Sequence, residues 1–87
     1  MPTTNATALL AILREGWADG QRARKLLPAA RPSLTALVDE CKRRYGDDEP
    51  ARMAFMDGHC SGVEDDSYAM DIAKANIMED YATPPRT

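Results

Sequence analysis

The sequence has few of the side chains from which metal and catalytic centres are built. Its 87 residues include one histidine and two cysteines, whereas a structural zinc site usually has four protein ligands. His59 and Cys60 are adjacent, so on a helix they point about 100° apart and are poorly placed to share one ion. A Cys–His nucleophile would need Cys41 to meet His59 in space, and no motif predicts that meeting. We therefore expect no metal, no cofactor and no catalytic residues.

Long hydrophobic runs are also missing. No run approaches the roughly 18 apolar residues of a membrane-spanning helix. The first residues include an apolar patch but lack the positive region and the cleavage site of a secretory signal. We expect a cytoplasmic protein with no membrane partner. Cys41 and Cys60 are expected to be free, buried thiols, because disulfides are rare in the cytoplasm.

Apolar side chains recur at helical spacing along most of the chain. No segment alternates apolar and polar residues for long enough to form a strand. The predicted fold class is therefore all-α, a small bundle of four to five short helices with no sheet. Residues 1–82 are predicted to form a single helical domain, and residues 83–87 a disordered tail. Two stripes share the spacing i, i+3, i+4, i+7 and i+11: Ala6, Leu9, Leu10, Leu13 and Trp17, then Leu34, Leu37, Val38, Cys41 and Tyr45.

Three glycines leave the helix boundaries open. Gly20 follows the first stripe and predicts the end of the first helix, before a short helix over residues 21–27. Gly58 and Gly62 either break a later helix or, four residues apart, allow another helix to approach closely. The number of helices depends on these positions.

The large apolar side chains are too few for a generous core. Fourteen of the apolar residues are alanine, and a chain of this length buries only about 60–65% of the surface that its unfolded form exposes. Five methionines point to adaptable packing or to a surface that fits a partner. Binding to another protein, or homodimerisation, is the predicted source of additional stability.

Charge is divided unevenly along the chain. Residues 1–46 contain eight Lys or Arg and four Asp or Glu, a net charge of +4. Residues 47–87 contain three and ten, a net charge of −7, which gives −3 for the whole chain. The two halves therefore favour different partners, and the basic half of one copy could face the acidic half of another.

The basic half contains a segment, KLLPAARPSLTAL, that resembles a helix-turn-helix motif over about 20 residues. Leu26 and Leu27 occupy the apolar pair before the turn, and Ser33 and Leu34 the polar start and apolar anchor of the next helix. This resemblance implies a small DNA-binding regulator that uses residues 21–46. The negative net charge and the prolines of the turn disfavour it. The nucleic-acid contacts in this alternative are Arg22, Arg24, Lys25, Arg31, Arg43 and Arg44.

The acidic half favours a different function, a non-enzymatic protein that binds another protein. In size and acidity the chain resembles small antagonists that phages and mobile elements encode against host machines, including anti-CRISPR proteins. That resemblance implies inhibition of a nucleic-acid machine through an acidic surface. The predicted acidic contacts are Asp47, Asp48, Glu49, Asp57, Glu64, Asp65, Asp66 and Asp71, and the predicted apolar contacts are Trp17, Phe55, Met56 and Tyr68.

Overall fold

A computed structural model describes residues 5–82, which form an all-helical fold without a strand in that range. The four α-helices are α1, Ala6–Arg24; α2, Leu34–Tyr45; α3, Glu49–Glu64; and α4, Ser67–Ile77. A 3₁₀ turn, Pro28–Ala30, joins α1 to α2, and a π-helical segment, Met78–Ala82, extends α4. The all-α prediction is confirmed with four α-helices. The predicted tail, residues 83–87, lies outside the described residues.

A short polar side chain caps the start of every α-helix. Asn5, Ser33, Asp48 and Asp66 each accept a hydrogen bond from the backbone N–H three residues later. These bonds satisfy N–H groups that the first helical turn leaves without an intrahelical acceptor. The helix starts are therefore determined by local sequence.

The prediction that the first helix ends at Gly20 is wrong. Helix α1 continues to Arg24, and no separate helix covers residues 21–27. Gly20 is buried where α1 meets α3, so its missing side chain serves packing between helices rather than helix termination. Likewise α3 runs unbroken through Gly58 and Gly62, which is the second of the two predicted roles for this pair.

A glycine seam, made of Gly16 and Gly20 on α1 and Gly58 and Gly62 on α3, brings the two backbones into contact. A Cβ atom on Gly58 would overlap the carbonyl oxygen of Leu13 and lie 2.8 Å from the backbone nitrogen of Trp17. All four positions are similarly closed by backbone atoms of the opposite helix. Only glycine, which has no Cβ atom, permits such an approach.

The seam also fixes the direction of the two helices. Gly16 faces the turn from Phe55 to His59, and Gly20 faces the next turn, from His59 to Val63. Helices α1 and α3 are therefore parallel. Since α2 connects them and α4 follows α3 after a short turn, α2 and α4 run in the opposite direction.

Two apolar clusters flank the seam. Their buried members are Leu13, Met70 and Ala73 in one cluster, and Leu37, Cys41 and Phe55 in the other. The first cluster joins α1 to α4, and the second joins α2 to α3. Helix α3 contacts all three other α-helices and is the centre of the fold.

Gly58→Ala should lower the free energy of unfolding by about 3 kcal/mol, because the added methyl group meets backbone rather than a movable side chain. This loss would exceed the gain in helix propensity of about 1 kcal/mol. Urea unfolding followed by circular dichroism measures it.

Gly46→Ala is the matched control. Gly46 has a positive φ of 59° but open space around it, so only backbone strain of about 1–2 kcal/mol is expected. A Gly58→Ala protein as stable as the unmodified chain would contradict the close backbone contact.

Candidate protein-binding groove

The exposed side of α3 presents a row of two carboxylates with a methionine between them. Glu49, Met53 and Asp57 are spaced four residues apart and so lie on one face of the helix. The row is about 12 Å long, slightly more than two helical turns. Met53 is 52% exposed and therefore presents an apolar side chain to solvent between the two carboxylates.

This row forms one wall of an acidic groove, a cavity of about 390 Å³ between α3 and the end of α4. Leu9, Ala54 and Ala73 are all buried and belong to its apolar floor. The lining of the groove includes the apolar residues Leu9, Ala54, Ala73 and Ile77, the carboxylates Glu49, Asp57 and Asp80, and, at its edge, Met53 and Tyr81. Among residues 5–82, no lysine or arginine lines the groove.

The π-helical segment shapes the opposite wall. Asp80 and Tyr81 both belong to Met78–Ala82 and both line the groove. π-Helical turns are rare in proteins, and those that occur are often found at functional sites. Here the wider turn follows Ile77, so it sets where the third carboxylate lies relative to the wall formed by α3.

Asp57 is the carboxylate with the least favourable environment. Asp57 is exposed as a residue, but neighbouring protein atoms remove part of the hydration of its carboxyl group and raise the pKa of Asp57 above its ordinary value of 3.8. Within residues 5–82 no hydrogen bond or cation compensates for this loss of hydration. A basic group of a partner would supply the missing compensation.

Of the other six predicted acids, three make contacts that stabilise helix ends and three are exposed outside the groove. Asp48 and Asp66 are N-caps, with Asp66 accepting from the Ala69 N–H at 3.0 Å. Asp65 ends α3 at φ 55° and accepts from Gln21 at 3.0 Å. The remaining three, Asp47, Glu64 and Asp71, are exposed and lie outside the groove.

The four predicted apolar contacts differ in exposure. Phe55 is completely buried, and the Arg44 guanidinium lies 4.7 Å from its ring centroid. Trp17 and Met56 are partly buried against the two core clusters. Tyr68 is 73% exposed and is the one member of the four that is largely free for contact. Phe55 is therefore unavailable to a partner, because it fills the core between α2 and α3.

Sequence reasoning named Glu49 and Asp57 but did not place Met53, Asp80 and Tyr81 with them. The spacing of Glu49, Met53 and Asp57 was a visible signal, since residues four apart share a helix face. Asp80 and Tyr81 join the site only because α4 packs on α3, and no local sequence pattern encodes that packing.

Three of the cations in the DNA-binding alternative pair with carboxylates. Arg22 lies 3.2 Å from Asp19. Arg43 and Arg44 both bind Glu40, with the Arg44 contact at 2.9 Å. Hydrogen bonds from these two arginines lower the pKa of Glu40 from 4.5 to about 2. Glu40 therefore offsets one of the two positive charges of Arg43 and Arg44 within α2.

Arg31 and Arg24 instead stabilise the end of α1 and the turn that follows it. The Arg31 guanidinium donates to the carbonyl oxygens of Leu26 and Arg24, at 3.2 and 3.0 Å. Arg24 donates to the carbonyl oxygen of Val63 at 3.1 Å. The sixth cation, Lys25, is exposed.

The connection between α1 and α2 also differs from a helix-turn-helix. It spans residues 25–33, whereas the motif uses a turn of about three or four residues. Helix α2 packs mainly on α3. The geometry therefore gives no support to DNA reading by residues 21–46.

A buried polar bridge crosses the seam between α1 and α3. His59 is 5% exposed, and its Nδ1 lies 2.9 Å from Oδ2 of Asp19. Cys41 and Cys60 are both free, as predicted, but Cys60 is exposed rather than buried because it lies on the outer side of α3. Burial raises the pKa of the Cys41 thiol, and partial loss of hydration raises the pKa of the Cys60 thiol, which is the opposite of nucleophile activation.

The described part of the chain, residues 5–82, contains neither a metal-binding cluster nor a membrane-spanning helix. Within this range no group of three or more His, Cys, Asp and Glu side chains could hold a metal ion. None of the helices there is long and apolar enough to cross a membrane.

Comparison with known proteins gives no match. A scan against protein-family models, a search of curated proteins and a search of solved structures all find nothing similar to this chain. Its function must therefore be argued from its own residues.

Arg31→Ala should destabilise the protein by about 1 kcal/mol, because two charge-assisted hydrogen bonds to the end of α1 are lost. Lys25→Ala removes the same charge nearby and should leave stability unchanged. Thermal unfolding of both variants measures the difference. Equal melting temperatures would show that Arg31 does not stabilise the turn.

Asp57→Asn should raise stability at neutral pH. A folded-state pKa above the unfolded value means that folding favours the protonated carboxyl, so its ionisation destabilises the folded state. The advantage of the variant should shrink as the pH falls through the folded pKa of Asp57 and vanish below the unfolded pKa. Urea unfolding at neutral and acidic pH measures this trend, and a less stable variant at pH 7 would contradict it.

Proposed function

We propose that this protein is a non-enzymatic binding protein whose acidic groove holds a basic, amphipathic segment of another protein. The observation that carries the proposal is a groove in which three carboxylates, Glu49, Asp57 and Asp80, border an apolar floor and form no ion pair with a cation of residues 5–82. A lysine or arginine of the partner would pair with the groove carboxylates. Apolar side chains of the same segment would cover Met53 and the floor.

A helical segment fits the groove better than a flat surface does. Two antiparallel helices, α3 and α4, form its walls, and a third helix laid between them presents apolar residues on one face. Charged residues beside that face would then meet Glu49 and Asp57 on one wall and Asp80 on the other. Such pairs set orientation and association rate as much as affinity.

A narrower form of the proposal concerns the identity of the partner. Proteins that handle nucleic acid present basic surfaces, and a carboxylate-lined groove can occupy a basic segment of that kind. In this form the protein is an antagonist that competes with nucleic acid. A short DNA duplex should then displace the protein from its partner.

Binding can be tested with a labelled synthetic peptide of about 15 residues, long enough to form a helix, with leucines on one face and lysines elsewhere. Fluorescence anisotropy should show binding of this peptide and no binding of the same peptide with glutamates in place of lysines. Asp57→Lys should weaken binding about tenfold or more, which corresponds to about 1.4 kcal/mol.

Asp71→Lys is the matched control, since it makes the same charge change on an exposed acid outside the groove. It should leave peptide affinity nearly unchanged. Equal losses in the two variants would mean general electrostatic attraction and would overturn the groove as the binding site.

A further inference from the structure

A second apolar surface, the leucine corner, lies where α1 turns into α2. It consists of Leu26, Leu27 and Leu34, which are 47%, 79% and 68% exposed. None of the three belongs to either core cluster. Three exposed leucines at one turn are a larger apolar surface than isolated exposed side chains, and such patches mark interaction sites.

Cations flank the corner along the chain. Between Asp19 and Asp39 the sequence contains four cations and no acid. Arg24 and Arg31 donate to carbonyl oxygens and form no ion pair within residues 5–82, and Lys25 is exposed. One acid from another element, Glu64, lies in the depression beside the corner. The chemistry of the corner, leucines beside cations, matches what the acidic groove is proposed to bind.

The corner and the groove lie at opposite ends of the molecule. Because α1 and α3 are parallel, the corner at the end of α1 lies near the end of α3, beside His59 and Val63. The groove begins at Glu49 and Pro50, at the start of α3. One chain therefore cannot place its own corner in its own groove.

We propose that the leucine corner of one copy binds in the acidic groove of a second copy. Leu27 would contact Met53 and Ile77, while Arg24 and Lys25 would face the groove carboxylates. This inference rests on the proposed function of the groove and names its partner as this chain itself. An anionic membrane is a poorer match for the corner, because the chain carries a net charge of −3.

The contact joins two different surfaces at opposite ends, so it is head-to-tail. Such contacts leave a free corner and a free groove at the ends of every assembly and allow chains of copies to grow. Assembly should therefore increase with protein concentration. High salt should weaken it, since the Debye length falls from about 10 Å at 0.1 M to about 3 Å at 1 M.

Sedimentation velocity at increasing concentration and low salt tests this arrangement. The unmodified protein should show species larger than the 9.6 kDa monomer, and these should dissociate at high salt. Leu27→Glu removes the corner and Asp57→Lys removes the groove, so each variant alone should be monomeric. Asp71→Lys, with the charge change of Asp57→Lys, should assemble like the unmodified chain.

A mixture of the two monomeric variants gives the most specific result. The intact corner of Asp57→Lys can bind the intact groove of Leu27→Glu, so the mixture should form a 1:1 dimer that grows no further. A monomeric mixture, or assembly by either variant alone, would overturn the head-to-tail contact.

Binding of the lysine peptide distinguishes a failure of self-association from a failure of the proposed groove function. If the peptide binds the groove while the unmodified protein stays monomeric, self-association is wrong and the groove proposal stands. If neither binding nor assembly occurs, both are wrong.

Discussion

The direct contact between the backbones of α1 and α3 is the constraint on which the other features depend. Four glycines make it, and each costs about 1 kcal/mol of helix propensity relative to alanine. The close approach brings many atoms of the two helices into van der Waals contact, which offsets that cost. Once α3 is held against α1, α2 and α4 can each pack an apolar face against the pair. The two small clusters are consequences of the seam.

Several charged groups hold this small fold together. Acids cap α3 and α4, Glu40 binds two arginines on α2, and Arg31 ties the turn to α1. Of the carboxylates in the acidic groove, Glu49 lies in the first turn of α3, where the helix dipole favours an acid, whereas Asp57 and Asp80 form no ion pair within residues 5–82. Asp57 in particular loses part of its hydration, so its ionised form lowers the stability of the fold rather than adding to it.

The large apolar side chains are likewise divided between the core and the surface. Phe55 and Leu13 are buried to completion, whereas Leu27 and Met53 are exposed on opposite ends of the molecule. In a domain with so few large core residues, leaving these side chains in water sacrifices stability that burial would have supplied. Binding at the groove, to another protein or to a second copy, would recover part of it.

The sequence by itself determined the helical class, because apolar stripes such as Leu34 to Tyr45 repeat at helical spacing. It also determined the helix starts, because Ser33, Asp48 and Asp66 act on backbone groups three residues away. Tertiary structure decided the rest. Gly20 is as suitable for ending a helix as for packing one, and only the approach of α3 selects between them. Whether an acid such as Asp57 borders a groove or faces open water depends on helices distant in sequence, which local spacing does not specify.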